Sequence, residues 1–145
     1  MKHYTPQSYS LMQSIGFLLT KARNLITAEM ETALKDLDIT GPQMGILLAM
    51  QRGLASTPFE LSKMLSVDTG LMTRMLDKLE TKGLLERSRS VDDRRVVNLE
   101  LTKKGEAIAA EIPTIAPEVL NVRLKKFTKA EFDELCRLLN KFIGE

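Results

Sequence analysis

Cysteine and histidine are almost absent from this chain: Cys136 and His3 are the only ones among 145 residues. One cysteine excludes an intrachain disulfide. One residue of each kind excludes a His/Cys metal cluster of ordinary spacing within a single chain. Apolar runs are short, and none approaches the ~20 residues of a membrane-spanning helix. The opening residues, Met1-Lys2-His3-Tyr4-Thr5-Pro6, hold no apolar core of a secretory signal, so a cytoplasmic protein is expected. Gly-rich phosphate loops, nucleophile elbows and His-Glu metal motifs are missing as well. The expectation is therefore no catalytic residue, no metal and no cofactor: not an enzyme. Repeats and low-complexity segments are also lacking.

What is present is enough apolar content, 43%, for a globular core. The length suits one domain, or one domain with dimerisation arms. A net charge of +2 is too small to point anywhere by itself. Its distribution is more telling, because the stretch from Arg87 to Arg95 holds four arginines against two aspartates. Local basicity of this kind is an electrostatic footprint for nucleic acid.

The most informative segment runs from Ser66 to Thr102. Asp68 to Lys82 has helical periodicity, with Asp68 as N-cap and Met72, Met75, Leu76 and Leu79 as its apolar stripe. Gly83 at C′ makes Leu84 the C″ residue and Leu79 the C3 residue, the apolar pair of a Schellman stop. Leu84–Arg89 and Val96–Leu101 read as two strands around the turn Ser90-Val91-Asp92-Asp93-Arg94-Arg95. Val97, Leu99 and Leu101 alternate with Asn98 and Glu100, so one face of the ribbon is apolar. A helix followed by a ribbon tipped with two arginines suits a duplex. The helix fits a major groove, and the arginines reach phosphates or a narrow minor groove.

Upstream, Thr57-Pro58-Phe59-Glu60 is a capping-box pattern opening a short helix with Leu61, Met64 and Leu65. With the tight Ser66-Val67 connection, it forms the first half of a helix-turn-helix. Before it, Thr40-Gly41-Pro42-Gln43 opens a helix carrying Met44, Leu47, Leu48 and Met50. The chain begins with a long helix expected from about Ser8 to Leu37. Thr102 caps a helix from Lys103 to about Ile112, with Pro113 and Pro117 expected to break or kink the chain. Thr128-Lys129-Ala130-Glu131 caps a last helix, with Phe132, Leu135, Cys136, Leu139, Phe142 and Ile143 on one stripe. The fold class is mainly α with a small β-ribbon (α+β). It is a winged helix-turn-helix over residues 39–104, flanked by an N-terminal dimerisation helix over 1–38 and C-terminal dimerisation helices over 105–145. The two terminal apolar stripes exceed what one chain's core can cover, and a two-fold helical dimer would cover them.

These stretches together carry a resemblance. Thr40-Gly41-Pro42-Gln43, Glu60-Leu61-Ser62, Asp68 through Leu79, Lys82-Gly83-Leu84-Leu85-Glu86-Arg87, Asp92-Asp93-Arg94-Arg95 and Leu101-Thr102-Lys103-Lys104-Gly105-Glu106 resemble the multiple-antibiotic-resistance regulator (MarR) family of bacterial transcription factors. The resemblance implies a homodimer on a pseudo-palindromic operator in double-stranded DNA. It implies a repressor of neighbouring genes, relieved by a small aromatic acid or an oxidant. It places Thr69, Gly70, Thr73 and Arg74 against DNA. It gives Asp93 the role of orienting Arg95, which enters a minor groove, with Arg94 beside it on the backbone. Redox-sensing members often carry a reactive cysteine near the N-terminus, and a urate-responsive subgroup carries a tryptophan. This chain has neither.

Competing readings stand beside these. A charged pair at a hairpin tip is usually a solvated turn, and the preceding helix is what turns Arg94 and Arg95 toward DNA. Arg74 and Lys78 share a helix face, where Asp77 and Glu80 are alternative partners to DNA. Leu71 is either core or a contact to a thymine methyl. Cys136 reads as a buried, inert thiol, with a redox role as the alternative. A winged helix used for protein binding remains a third class. For an effector, the candidate slot lies between the helical arms and the winged helix. Its apolar walls would be Met12, Phe17, Met44, Leu48, Met50 and Phe59, with Arg23 or Arg52 as carboxylate partner.

Overall fold

The structure, a computed structural model, describes all residues from Met1 to Glu145. Six helices and one two-stranded ribbon follow in the order α1 (Ile15–Ala33), α2 (Gly41–Gln51), α3 (Pro58–Leu65), α4 (Thr69–Thr81), β1 (Leu85–Arg89), β2 (Val97–Leu101), α5 (Lys103–Leu124) and α6 (Lys129–Ile143). Short 3-10 turns at Leu11–Gln13 and Lys35–Leu37 flank α1. No helix is long and apolar enough to cross a membrane.

The first helix is shorter than its periodicity predicts. Ser14 adopts an extended backbone and caps α1, its Oγ accepting from the Phe17 N–H at 3.2 Å. The Tyr4 hydroxyl accepts from the Ile15 N–H at 2.9 Å. These two contacts satisfy donors that a helix start leaves orphaned. The apolar spacing of Leu11 and Ile15 runs through this break and hides it. At the other end Leu34 closes α1, and the left-handed Asp38 (φ 53°) turns the chain into α2.

The fifth helix is longer than expected. It continues unbroken through Pro113 and Pro117 to Leu124. Each proline lacks the N–H that an interior turn needs, a cost of about 3 kcal/mol in an isolated helix. Packing outweighs it here. Ala109 and Ile112 are fully buried before the first proline, and Ile115, Ala116 and Val119 pack on the core beyond it.

The core lies where α2, α4, α5 and the ribbon converge on the end of α1. Leu34, Ile46, Leu47, Leu61, Met72, Leu76, Leu79, Leu84, Leu85 and Ile112 are its large fully buried members. The four apolar residues assigned to α4 are all inside, and Leu71 is at the surface. β1 and β2 pair antiparallel with Arg87 opposite Leu99. Leu99 also donates its N–H to the Ser56 carbonyl at 2.8 Å, tying the ribbon to the loop before α3.

The stop after α4 has the expected geometry. Gly83 is left-handed (φ 72°). Its N–H bonds to Glu80 O at 2.9 Å, and the Leu84 N–H bonds to Leu79 O at 3.0 Å. Both Schellman bonds are thus made, and Leu79 and Leu84 are buried together. The capping box at Thr128 and Glu131 is complete. At Thr57 only half of it forms, because Glu60 reaches back to the Ser56 N–H at 2.7 Å instead of that of Thr57.

Candidate nucleic-acid interface

The outward side of α4 is built by elimination. Met72, Met75, Leu76 and Leu79 point into the core, which leaves Thr69, Gly70, Thr73, Arg74, Asp77 and Lys78 exposed. Asp68 starts the helix by accepting from the Leu71 N–H at 3.0 Å. Gly70 keeps this end slim: a Cβ there would lie 3.2 Å from the Asp68 carboxylate. The Thr73 hydroxyl donates to Thr69 O at 2.9 Å, which fixes its rotamer and leaves its lone pairs outward.

Charges on this face are sorted. Asp77 and Glu80 do not pair with Arg74 or Lys78. Both are held by Arg87 of β1, whose Nη1 lies 2.7 Å from Asp77 Oδ1 and 3.3 Å from Glu80 Oε2. Its Nη2 also donates to Thr73 O at 3.4 Å. Arg74, Lys78 and Arg94 have no carboxylate within ion-pair distance, whereas Arg87 and Arg95 do.

At the wing, the Ser90 hydroxyl accepts from the N–H groups of Asp92 and Asp93, closing the turn. Asp93 then grips Arg95 three times. Its Oδ1 accepts from the Arg95 N–H at 3.0 Å and Nε at 3.1 Å, and its Oδ2 from Nη2 at 3.3 Å. The Arg95 side chain, then its backbone N–H, holds the Asp93 carboxyl below the usual carboxylate range. The Arg95 side chain itself stays 91% exposed. Arg89 spans the ribbon end and donates to Arg94 O at 2.7 Å. Periodicity and charge counts did not single out Arg87 or Arg89 within the basic stretch, because their partners lie on α4 and across the turn.

The effector candidates do not meet in one cavity of the chain. Phe17 lines a hollow on α1 with Thr20 and Asn24. Met50 lines another beneath the ribbon with Leu99 and Glu106. Phe59 lines a third, of about 420 Å³, with Arg95, Val96 and Val97. Met44 and Leu48 pack against the core. Met12 is largely exposed, and Arg23 and Arg52 are exposed.

Cys136 is exposed rather than buried. The reason is that nothing in one chain covers its helix: every residue of α6 is exposed. Its apolar stripe, from Leu135 to Phe142, instead faces Ile15 to Ala22 of α1 across an open, wholly apolar hollow of about 480 Å³.

Comparison with known proteins agrees with this architecture. The sequence pattern of the MarR family matches residues 40–97. The chain is 40% identical over 111 residues to the multiple antibiotic resistance protein MarR of Escherichia coli K12, covering 76% of this chain and 77% of that protein. It is 30% identical over 142 residues to the transcriptional regulator SarZ of Staphylococcus aureus, covering 98% of this chain and 94% of that one. Its fold superposes on a mutant MarR from E. coli complexed with operator DNA with a TM-score of 0.81. That match has 34% identity and covers 92% of this chain and 99% of the other. With a winged helix-turn-helix set between terminal helices, and relatives at these identities over most of its length, the chain belongs to the MarR family.

Proposed function

We propose that this chain is a sequence-specific DNA-binding transcriptional regulator that acts as a homodimer, represses neighbouring genes and is released by a small-molecule effector. The observation that carries the reading is the sorting of charge. Arg74, Lys78 and Arg94 stand free on the recognition helix and wing, while Asp77, Glu80 and Asp93 are each held by another arginine, with Asp92 at the wing tip left unpaired. A solvated surface has no need of such an arrangement, whereas a phosphate-facing one does.

In this reading α4 lies in the major groove. Thr69, Gly70, Thr73 and Arg74 meet base edges and nearby phosphates, and Lys78 meets the backbone. Asp93 holds Arg95 at the minor groove, with Arg94 on the flanking phosphates. Residues 1–38 and 105–145 form the dimer, and residues 39–104 read DNA. The uncovered stripes of α1 and α6 support the dimer, since exposed apolar surface of this extent marks an association site. The protein acts in the cytoplasm as a binding protein rather than an enzyme.

A small aromatic acid is the effector class that suits an apolar slot with a cation at its edge. Its residues are the eight candidates named above, which one chain leaves apart. By linkage, an effector that weakens DNA binding binds the DNA complex more weakly by the same factor.

The test is selection from a pool of random duplexes. The reading expects an inverted repeat whose half-sites lie about one helical turn, ~34 Å, apart. Enrichment of no sequence, with salt-insensitive binding, would overturn it.

A further inference from the structure

We infer that Arg87 is a positioning residue for DNA recognition: it occupies Asp77 and Glu80 so that Arg74 stays free to reach DNA. The inference rests on the DNA-binding reading above and adds a residue to it.

Gly70, Arg74 and Asp77 are four and three residues apart, so they form one stripe along α4. Asp77 therefore stands on the outward face, directly below the two residues assigned to DNA, and is exposed there. Thr73, Asp77 and Glu80 form the adjoining stripe by the same spacing. Left alone, the Asp77 carboxylate would do two unfavourable things. It would face the phosphates, and it would draw in Arg74, its neighbour three residues before. Either effect weakens binding through the same helix that must read the sequence.

The structure assigns both carboxylates to a cation from outside the helix. Arg87 is on β1 and is opposite the buried Leu99, so its backbone is fixed by the ribbon. Its side chain, only 27% exposed, spans Asp77, Glu80 and the Thr73 carbonyl. A planar guanidinium serves three acceptors along one helix face, which a lysine ammonium on a flexible stem does less well.

The test uses the full-length protein and the inverted-repeat duplex obtained by selection, with binding measured by fluorescence anisotropy over a series of salt concentrations. Arg87→Met is expected to bind the duplex about tenfold more weakly and to lose part of its preference over random DNA, on the scale of one specific base contact. Adding Asp77→Asn and Glu80→Gln to that variant is expected to restore affinity and salt slope, because the carboxylates that compete for Arg74 are gone. Arg87→Lys, which leaves one carboxylate served, is expected to fall between. It also serves as the probe should the methionine variant fold poorly by circular dichroism. Wild-type binding by Arg87→Met or, with it unfolded, by Arg87→Lys overturns the inference. So does a folded Arg87→Met variant that Asp77→Asn with Glu80→Gln fails to rescue; Arg87 would then touch phosphate itself, with a slope lower by about 0.9. Failure of the unmodified protein to bind any duplex overturns the DNA-binding reading, which separates the two failures.

Discussion

The Leu84 carbonyl oxygen sits where a side chain at position 105 would begin: a Cβ on Gly105 would lie 1.9 Å from it. Three contacts make the joint. The Thr102 hydroxyl donates to Gly83 O at 2.6 Å, the Thr102 N–H donates to Leu84 O at 3.1 Å, and the Gly105 N–H donates to Thr102 Oγ1 at 3.1 Å. Lys104 adds a bond to Lys82 O at 3.2 Å. The end of the recognition helix and the start of α5 are thereby one rigid corner. The Leu-Thr and Lys-Gly pairs from Leu101 to Gly105 are the residues of that corner. It links the helix proposed to read DNA with α5, one of the helices proposed to form the dimer.

Gly105→Ala is therefore expected to destabilise the fold by about 2–3 kcal/mol, at the upper end of overpacking costs, since the clash is with backbone and no side chain can swing aside. Urea unfolding followed by circular dichroism measures it. A change below about 0.5 kcal/mol, the range of ordinary surface substitutions, would mean that the corner is not tight.

Wing and recognition helix are expected to separate by mutation. Arg94→Ala with Arg95→Ala should weaken operator and random DNA alike and reduce the slope of log affinity against log salt, as loss of phosphate contacts does. Thr73→Ala or Arg74→Ala should instead lower the ratio of operator to random binding by roughly 1–3 kcal/mol per lost base contact. Gel-shift titrations on both duplexes check this. Equal losses on both duplexes for Arg74→Ala would remove the helix from its reading role.

Asp93 gives a pH signature. Its folded-state pKa is depressed, first by the Arg95 side chain and then by the Arg95 backbone N–H. The stability it lends the wing is therefore present above the ordinary carboxylate range and is lost as pH falls through the lowered value. Carboxyl-carbon NMR should find its midpoint below that of an unpaired aspartate, and Arg95→Ala should return it upward. An identical midpoint in both proteins would show that the pair does not persist in solution.

Much of this was legible in the sequence because local chemistry decides it. Asp68, Thr102 and Thr128 cap their helices, and Gly83 closes α4, as their residue types require. The pairing of Asp93 with Arg95 is what the family resemblance implies, and the wing turn makes it. What escaped depends on distant partners. Ser14 starts the first helix later than its periodicity suggests, with help from Tyr4, ten residues earlier. Pro113 and Pro117 sit within a helix because its other face is buried. Arg87 needs α4, and Gly105 needs Leu84, before either has meaning. The exposure of Cys136 reverses the expectation from its apolar stripe, because that stripe has no cover within one chain.

The central claim, that two copies of this chain read one operator, is tested most directly by sedimentation of the protein with the selected inverted-repeat duplex. A dimer at micromolar concentration and two chains per duplex are expected. Leu135→Glu with Leu139→Glu, in the apolar stripe of α6, is expected to yield monomers or aggregates that form no complex. A well-folded monomer of the unchanged protein that binds the duplex one chain at a time would contradict it.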